Sequence, residues 1–410
     1  MRFLKYSLLL IVYCLQANVS YAQDPQYPFP QHVHYAPGSI LPDHLSQRKL
    51  DNAVKSFYIR WKAHYINNNC AKGQYYVWFE KKAANKQSVS EGQGYGMMIV
   101  ALMAGFDKKA KETYDGLYRY YKAHPSKRDP RLMAWAQNTS CKDIDGSSAT
   151  DGDIDIAYSL LLANKQWGSA GAINYRQEAL AMINAIMKQE INPKTFTPLL
   201  SNSVEYDSKD YFDTRSSDFM PANFKAFSLA TSDTRWNKVI VNGYKLFKQM
   251  QDKYSPDAGL LPDFIRGVNK NPRPAAPRYL ESPYDGAYSY NACRVPWRLA
   301  TDYLMYGDGN AKTMVDRINA WVRGTTKDDP DNISAGYTLA GDDLKSHYFE
   351  ALSFIAPFAV AAMVDAKNQA WLNKVWDYMV NFSLDNFDYY DNSIKMLNMI
   401  ILSGNYWPPK

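Results

Sequence analysis

The sequence predicts an all-α fold, a closed toroid of six helical hairpins. Apolar residues recur at helical spacing in about twelve segments, which clusters of Gly, Pro, Asn and Asp separate. Strand-like alternation is scarce, apart from a short stretch from Gln74 to Phe79. A stacked solenoid of the same helices would show a sequence repeat of fixed period, and we find none. The closed toroid is therefore favoured over the solenoid.

The helical segments follow one another along most of the chain, with alternating short and long loops between them. They are expected near residues 44–65, 90–105, 109–123, 151–166, 172–190, 218–231, 233–252, 289–306, 310–323, 346–364, 367–381 and 386–403. In a toroid built from hairpins, the inner helices present their N-terminal ends to one face. Polar residues at the starts of those helices are therefore candidates for a shared site.

The N-terminal residues 1–22 have the layout of a secretory signal peptide. Arg2 and Lys5 precede an uncharged apolar run over residues 6–15, and SYA at residues 20–22 supplies a small-x-small cleavage site. The apolar run is too short to span a bilayer. We therefore expect an exported protein, either secreted or periplasmic.

Two further regions follow the signal peptide. Residues 23–43 are rich in proline and show little periodicity, so an extended lead-in is expected there. Residues 44–410 contain no low-complexity linker that would divide them. A single helical domain over 44–410 is the resulting expectation.

Composition argues against several classes of function. The formal charge of +6 falls to +4 without the signal peptide, and the absence of a long basic run argues against a nucleic-acid partner. No later segment is long and apolar enough to cross a membrane. The histidines include no HExxH and the cysteines no zinc-like pairing, so neither a metal nor a cofactor is expected. Cys70, Cys141 and Cys293 remain after the signal peptide, which allows at most one disulfide.

One carboxylate, Glu91, stands among three glycines in SEGQGYGM, residues 90–97, where a helix is predicted to start. Each glycine costs about 1 kcal/mol relative to alanine inside a helix, so the pattern indicates that another helix or a ligand approaches the backbone closely. Glu91 would share a face with Tyr95, Met98 and Leu102, and such surroundings favour the protonated carboxyl. It is therefore a candidate general acid, although an acid at this place also complements the helix dipole.

A second acidic helix start lies in SATDGDIDIAYSLLLANKQW, residues 148–167. A calcium loop starting at its first aspartate would need glycine at position six and glutamate at position twelve, and it has neither. On a helix, Asp151 and Asp155 lie on one side and Asp153 on another. At least one of the three is expected only to cap the helix. Together with Glu91, this start would supply paired carboxylates at the rim of a toroid.

Four blocks of sequence resemble glycoside hydrolase family 8. They are ATDGDIDIAYSLLLANKQW at 149–167, which matches the active-site signature of the family, SEGQGYGM at 90–97, LMAWAQ at 132–137 and YNACRVPWRLATDY at 290–303. The resemblance covers essentially the whole mature chain. It implies an (α/α)6 barrel as the catalytic domain over 44–410 and inverting hydrolysis of a β-1,4-linked polysaccharide.

The same resemblance implies roles for individual residues. Glu91 matches the general acid, which donates its proton to the departing glycosidic oxygen. Asp151 matches the residue that holds the sugar at the cleavage point and helps to distort it. Trp135 resembles a stacking platform for a sugar ring, whereas Tyr290 and Arg294 fall in the block that frames the catalytic centre.

One position departs from the commonest pattern of the family. Asn291 stands where many members have Asp as general base, and an amide cannot usefully accept a proton. The family has a branch with Asn at this place, in which a Glu from an inserted loop just upstream takes over. The corresponding segment here contains Glu281 and Asp285. We favour Glu281 as the base, with Asp285 as the second choice.

Two other classes of protein stay open. A polysaccharide lyase would draw on His347 and Tyr348 or on Arg294, and an unsaturated, ultraviolet-absorbing product would identify it. A catalytically impaired carbohydrate-binding protein would bind its polymer without releasing reducing ends. Within the family, β-1,4-glucan (cellulose or mixed-linkage glucan) is placed first as substrate, chitosan second and xylan third. We expect a monomer whose partner is the polysaccharide.

Overall fold

The computed structural model describes residues 24–80, 85–344 and 351–410, and within these ranges every predicted helical segment contains an α-helix. The signal peptide and the candidate lyase residues His347 and Tyr348 lie outside the described residues. The helices are α1 Gln47–Tyr65, α2 Ser90–Leu102, α3 Ala110–Ala123, α4 Thr150–Trp167, α5 Tyr175–Gln189, α6 Pro221–Thr231, α7 Arg235–Tyr254, α8 Val295–Tyr306, α9 Gly309–Thr326, α10 Leu352–Ala362, α11 Gln369–Asn381 and α12 Tyr389–Leu402.

Short antiparallel strands lie between the helices. They are β1 Ile66–Asn67, β2 Tyr76–Val77, β3 Ser88–Val89, β4 Ala136–Gln137, β5 Thr214–Arg215, β6 Phe264–Arg266 and β7 Arg273–Pro274. Strand β1 pairs with β2, β3 with β4, and β6 with both β5 and β7. In the β3–β4 pair, Ser88 faces Gln137 and Val89 faces Ala136. This pairing sets the start of α2 beside the segment that carries Trp135.

The helices form two concentric rings, which confirms the predicted toroid. The even-numbered helices form the inner ring, in which each packs against the next and α12 closes on α2. The odd-numbered helices cover the inner ring from outside. The sequence explains this division, because inner helix α10, LSFIAPFAVAA, is apolar and buried on all sides, whereas outer helix α7 buries one face.

Close packing against neighbouring elements explains the glycines of α2. A Cβ atom on Gly94 would lie 2.8 Å from the Asp155 Cβ of α4. A Cβ atom on Gly96 would lie 2.4 Å from Val77 of β2, and one on Gly92 would lie 3.1 Å from an aromatic ring of α12. All these atoms belong to the protein. Of the two predicted causes of close approach, the structure therefore shows the packing of neighbouring elements.

The lead-in, here residues 24–46, has no helix or strand and crosses the base of the barrel. Five of its backbone N–H groups donate to carbonyl oxygens at or next to the C-terminal ends of α4, α2, α12, α8 and α10; the donors are Gln26, Phe29, Val33, Ala36 and Ile40. Carbonyl groups at a helix C-terminus lack partners within the helix. The lead-in therefore supplies hydrogen-bond donors to these carbonyl groups at the base of the inner ring. The opposite face, with the helix N-termini, stays open.

Cys70 and Cys141 form a disulfide, and Cys293 is a buried free thiol. The bond joins the loop after β1 to the loop after β4 across a sequence separation of 71 residues. Closing a loop of this length restricts the unfolded chain and stabilises a folded protein by about 2–4 kcal/mol.

We expect Cys70→Ser/Cys141→Ser to lower the free energy of unfolding by about 2–4 kcal/mol, since the unfolded chain regains the entropy of the open loop. Urea unfolding of the variant and of the wild type measures this difference. Dithiothreitol should lower the stability of the wild type to that of the variant and leave the variant unchanged. Equal stability of the oxidised wild type and the variant would contradict the expectation.

Candidate active site

The N-terminal ends of the inner helices meet at the open face of the barrel. Glu91 and Asp151 lie in the first turns of α2 and α4, Arg294 directly precedes α8, and Tyr389 begins α12. Helix N-termini carry positive partial charge, which favours carboxylates there. A cleft of about 380 Å3 opens at this face, lined by Phe79, Glu91, Glu281, Tyr290, Asn291, Asp388, Tyr389, Tyr390 and Asp391.

Arg294 is the buried centre of the site, with none of its side chain exposed. Its Nη1 donates to Glu91 Oε2 at 2.9 Å and to Asp151 Oδ2 at 2.8 Å. Its Nη2 donates to Ser217 Oγ at 2.8 Å and to Asn291 Oδ1 at 2.9 Å. One guanidinium therefore compensates carboxyl groups from two different helices.

The carboxyl of Glu91 is held at both oxygens but remains accessible from the cleft. Glu91 Oε1 accepts the hydroxyl of Tyr389 at 2.8 Å, while Oε2 accepts from Arg294. Burial raises the pKa of Glu91 to about 7; the charge of Arg294 opposes this rise and that of Asp151 adds to it. The side chain is 17% exposed. The predicted preference for the protonated carboxyl thus agrees with the direction of the shift.

Asp151 has the opposite character. Burial alone would raise the pKa of Asp151, but the charges of Arg294 and Arg215 hold it below its usual value. The backbone N–H of Gly152 also donates to Asp151 Oδ1 at 2.9 Å. The two carboxyl groups that share Arg294 therefore differ in protonation. Glu91 keeps its proton up to about pH 7, whereas Asp151 is ionised.

Glu281 extends from the loop before α8 into the same cleft, with 43% of its side chain exposed. Its Oε1 accepts from Arg215 Nη2 and its Oε2 from Asn291 Nδ2, both at 2.7 Å. The amide oxygen of Asn291 accepts from Arg294 in turn. Three hydrogen bonds through two side chains consequently connect Glu281 to Glu91.

Asp285, the second candidate base, occupies a different environment. Its side chain is buried, and Oδ2 accepts the backbone N–H groups of Leu280 and Glu281 at 2.6 and 3.0 Å. Its Oδ1 accepts the N–H of Ser282 at 2.8 Å. These contacts make Asp285 the residue that shapes the turn from which Glu281 projects.

Trp135 lies next to the helix start that carries Glu91. The backbone N–H of Ser90 donates to the carbonyl of Trp135 at 2.8 Å. The indole Nε1 donates to Asp145 Oδ2 at 2.6 Å, and Lys86 Nζ lies 4.5 Å from the ring centroid. Asp145 thereby fixes the orientation of the ring.

Tyr290 lines the cleft. Its ring packs edge to face against Phe354, with 5.2 Å between the ring centroids. Its carbonyl accepts from the hydroxyl of Tyr390, and the Cys293 thiol donates to the same oxygen at 3.1 Å. The backbone just before Asn291 is therefore tied to α12 and to the turn that precedes α8.

The expectation that one of the three aspartates in α4 only caps the helix is wrong. Asp151 contacts Arg294, and Asp155 forms a bidentate ion pair with Arg298 at 3.0 and 2.5 Å. Asp153 Oδ1 accepts the backbone N–H of a residue outside the helix at 2.9 Å. Each side chain thus has a partner beyond α4, which their spacing along the helix could not reveal.

Sequence reasoning missed three residues of the site. They are Tyr389, which donates to Glu91, and the buried pair of Arg215 and Asp218, whose Nη1 and Oδ2 atoms lie 3.5 Å apart. Burial raises the pKa of Asp218 to about 8, and the charge of Arg215 opposes the rise. A signal existed, because DTRSSD and FDYYD stand directly before or at the start of predicted inner helices.

Two acids of the cleft, Glu91 and Glu281, are paired with arginines. Within residues 24–80, 85–344 and 351–410, no three His, Cys, Asp or Glu side chains converge as metal ligands do. In the same ranges, no helix is both long enough and apolar enough to cross a bilayer.

The raised pKa of Glu91 and the lowered pKa of Asp151, at the open face of a helical toroid, are features of the class of enzymes that work by acid–base catalysis. The family model described as glycosyl hydrolases family 8 matches residues 50–404. The chain belongs to glycoside hydrolase family 8. It is therefore a glycoside hydrolase with an (α/α)6 barrel, and the lyase and binding-protein alternatives are set aside.

Similar proteins cover nearly the whole chain. A β-glucanase of Niallia circulans is 46% identical over 384 residues, which cover 93% of this chain and 92% of the relative. An endoglucanase of Bacillus sp. strain KSM-330 is 41% identical over 402 residues, 96% of this chain and 84% of the relative. The apo structure of a β-1,3-1,4-glucanase from Paenibacillus sp. X4 has a TM-score of 0.90 at 45% identity and covers 94% of this chain and 100% of that one.

Proposed function

We propose that this protein is an endo-acting β-1,4-glucanase that hydrolyses cellulose or mixed-linkage β-glucan with inversion at the anomeric carbon. One observation carries the proposal: a carboxyl with a raised pKa, Glu91, shares a cleft with an exposed carboxylate, Glu281. The similarity to a β-glucanase, an endoglucanase and a β-1,3-1,4-glucanase supports glucan as the polymer.

In the proposed mechanism, Glu91 donates its proton to the departing glycosidic oxygen. Glu281 takes a proton from a water molecule, which attacks the anomeric carbon from the opposite side of the ring. Inversion requires roughly 6.5–9.5 Å between the two carboxyl groups, so that this water fits between them. Asp151, kept ionised by Arg294, accepts hydrogen bonds from the sugar at the cleavage point and stabilises its distorted ring.

We assign the chain to the branch of the family with Asn at the usual base position. The amide of Asn291 donates a hydrogen bond to Glu281. It thereby orients the carboxylate that, in this proposal, serves as base in place of the usual Asp. The contacts of Asp285 support the same assignment. Both of its carboxyl oxygens accept backbone N–H groups of the turn that carries Glu281, so they are occupied within the loop. We therefore favour Glu281 over Asp285 as the base.

Aromatic side chains supply the sugar-binding surfaces in this proposal. Trp135 offers a ring beside the start of α2, and Tyr290 lines the cleft itself. Phe79 and Tyr389 contact one another in the same cleft, with 4.8 Å between their ring centroids. Flat rings of this kind suit the apolar faces of glucose units.

Chitosan is a second candidate substrate, which a specific observation favours. The described residues that line the cleft include four acids, Glu91, Glu281, Asp388 and Asp391, but neither Lys nor Arg. A cleft lined with acids attracts a polycation, whatever the net charge of the whole protein. Chitosan therefore belongs in the substrate panel beside the glucans.

The panel consists of carboxymethylcellulose, mixed-linkage β-glucan, chitosan and xylan, assayed for reducing ends. The proposal expects the highest kcat/KM on a glucan, a fall in viscosity early in the reaction and α-anomeric products in proton NMR spectra. Highest activity on chitosan would move the assignment to a chitosanase. A β-anomeric first product would contradict inversion.

We expect Glu281→Gln to lower kcat about 10²–10⁴-fold, because an amide cannot take the proton of the attacking water. Azide needs no deprotonation to attack the anomeric carbon, so added azide should restore turnover and yield a glycosyl azide. Glu205→Gln is the matched control, since Glu205 is an exposed loop acid paired with Arg128. Unchanged activity of Glu281→Gln would assign the base to another acid.

We also propose that residues 1–22 are a signal peptide, that the protein is secreted or periplasmic and that residues 44–410 form one catalytic domain. The layout of the N-terminus supports export, and the closed inner ring supports a single domain. We propose a monomer that acts on polysaccharide, with no nucleic-acid or membrane partner. N-terminal sequencing of the exported protein and light scattering of the purified one test these assignments.

A further inference from the structure

A second pair of carboxyl groups lies beneath the cleft, and the mechanism above does not use it. Asp153 in the first turn of α4 and Glu190 directly after α5 are both fully buried. Their side chains hydrogen-bond to each other. Among the described residues, neither forms an ion pair with Lys or Arg.

The hydrogen bonds of this pair require a proton between the two residues. Asp153 Oδ1 accepts the backbone N–H of Met133 at 2.9 Å, and Glu190 Oε1 accepts the hydroxyl of Ser148. The remaining oxygens, Asp153 Oδ2 and Glu190 Oε2, are buried and accept no hydrogen bond from an N–H or O–H group of the described residues. Two carboxyl oxygens can hydrogen-bond only if one carries a proton, and two adjacent buried carboxylates would repel each other.

The pair connects two segments that lead to the proposed sugar-binding residues. Met133 lies two residues before Trp135, and Ser148 lies three residues before Asp151. The backbone N–H of Trp135 also donates to the carbonyl of Ser147 at 2.9 Å, a second link between the same segments. The position of the indole relative to the start of α4 therefore depends on the carboxyl pair.

We propose that Asp153 and Glu190 share one proton and act as a positioning pair, which holds Trp135 and Asp151 in the arrangement that hydrolysis requires. The proposal rests on the roles given to Trp135 and Asp151 in the proposed function. The proton resides on Asp153 Oδ2 and is donated to Glu190 Oε2. Neither acid contacts the substrate, because both are fully buried.

The surroundings of the pair keep this proton in place. The titratable groups that face it are Asp151 on α4, Asp129 in the loop after α3 and Tyr121 near the end of α3. None of these three groups carries a positive charge. Burial raises the pKa of both acids, and the charge of Glu190 raises that of Asp153 further. The charges of Asp151 and Asp129 also raise the pKa of Glu190, whereas the hydrogen bonds from Ser148 and Asp153 lower it.

Two substitutions of Asp153 separate the proton from the packing. In Asp153→Asn, the amide oxygen accepts from Met133 and the amide N–H replaces the shared proton as donor to Glu190, so every hydrogen bond survives. In Asp153→Ala, both hydrogen bonds are lost. We expect Asp153→Asn to keep kcat and KM within about threefold of the wild type, and Asp153→Ala to lose at least about tenfold in kcat/KM with a raised KM.

The pH dependence of unfolding provides a readout that needs no substrate. Between about pH 7 and 9 the native pair binds one proton, because Glu190, with a pKa of about 7, is ionised there while Asp153 keeps its proton; the unfolded chain, with both carboxyls ionised, releases it. The unfolding constant of the wild type should therefore rise about tenfold more per pH unit than that of Asp153→Asn, which has no proton to release. Other buried acids are common to both proteins, so their contributions cancel in the difference.

Two results would overturn the proposal. Equal pH slopes for the wild type and Asp153→Asn would show that no proton is shared. Equal losses of kcat/KM in Asp153→Asn and Asp153→Ala, with distinct slopes, would show that the hydrogen bonds do not position the cleft. Because the slopes are measured without polysaccharide, they test the shared proton even if glucan is the wrong substrate.

Discussion

Glu91→Gln is expected to lower kcat about 10²–10⁴-fold on every β-glucan that the wild type hydrolyses, because an amide cannot protonate the departing oxygen. In the wild type, burial raises the pKa of Glu91 to about 7, so the acid is protonated below that pH and loses its proton above it. Activity of the wild type should therefore fall as the pH rises through about 7. Reducing-end assays from pH 4 to 9 measure both effects.

An activated substrate distinguishes loss of the acid from general damage to the site. An aryl glycoside with a good leaving group needs little protonation, so Glu91→Gln should hydrolyse it far better than it hydrolyses glucan, and without the fall near pH 7. Glu178→Gln, which alters an acid on outer helix α5 paired with Lys122, is the matched control. Full glucanase activity of Glu91→Gln would refute its role as the acid.

Arg294→Met is expected to cause the largest loss of stability, about 3–5 kcal/mol, because it leaves Glu91 and Asp151 buried without their cation. The charge of Arg294 lowers the pKa of both acids, so its removal raises both. When the pKa of a group is higher in the native than in the unfolded protein, the free energy of unfolding falls as the pH rises. The difference between variant and wild type should therefore be smallest near pH 4 and largest near pH 8.

Urea unfolding at several pH values measures this dependence on Arg294. Arg235→Met is the matched control, since Arg235 is an exposed arginine paired with Asp233, and it should change stability by less than about 1 kcal/mol at any of these pH values. A pH-independent loss in Arg294→Met would mean that lost packing, rather than uncompensated charge, accounts for the effect.

The outer helices could be predicted because their burial follows the helical period, as in α7, whereas the inner helices, such as α10, are apolar stretches buried on nearly all sides. The clearest deviation is α8, which begins at Val295 although its segment was expected from about residue 289. Asp263 Oδ1 accepts the backbone N–H groups of Ser289, Asn291 and Ala292, which hold this stretch in a turn. A carboxyl 26 or more residues away in the chain leaves no trace in local periodicity.

The candidate site was predictable where its residues lie in short motifs and not where the fold brings distant residues together. Glu91, Asp151 and Arg294 were found from their sequence blocks, and the structure places them in direct contact. Tyr389 contacts Glu91 across a separation of 298 residues, which no motif records. Likewise, only burial distinguishes Asp285, which shapes a turn, from Glu281, which reaches the cleft.

The lead-in has a consequence for the order in which the chain can fold. The backbone N–H of Gln31 donates to Asn405 Oδ1 at 2.7 Å, a contact between residues 374 positions apart. During synthesis from the N-terminus, the lead-in therefore waits for almost the entire chain before its final partner exists. Contacts of such high sequence separation form slowly. The lead-in can contact α2 and α4 through Phe29 and Gln26 early, but its contacts with the end of α12 complete the base of the barrel only when almost the whole chain has been made.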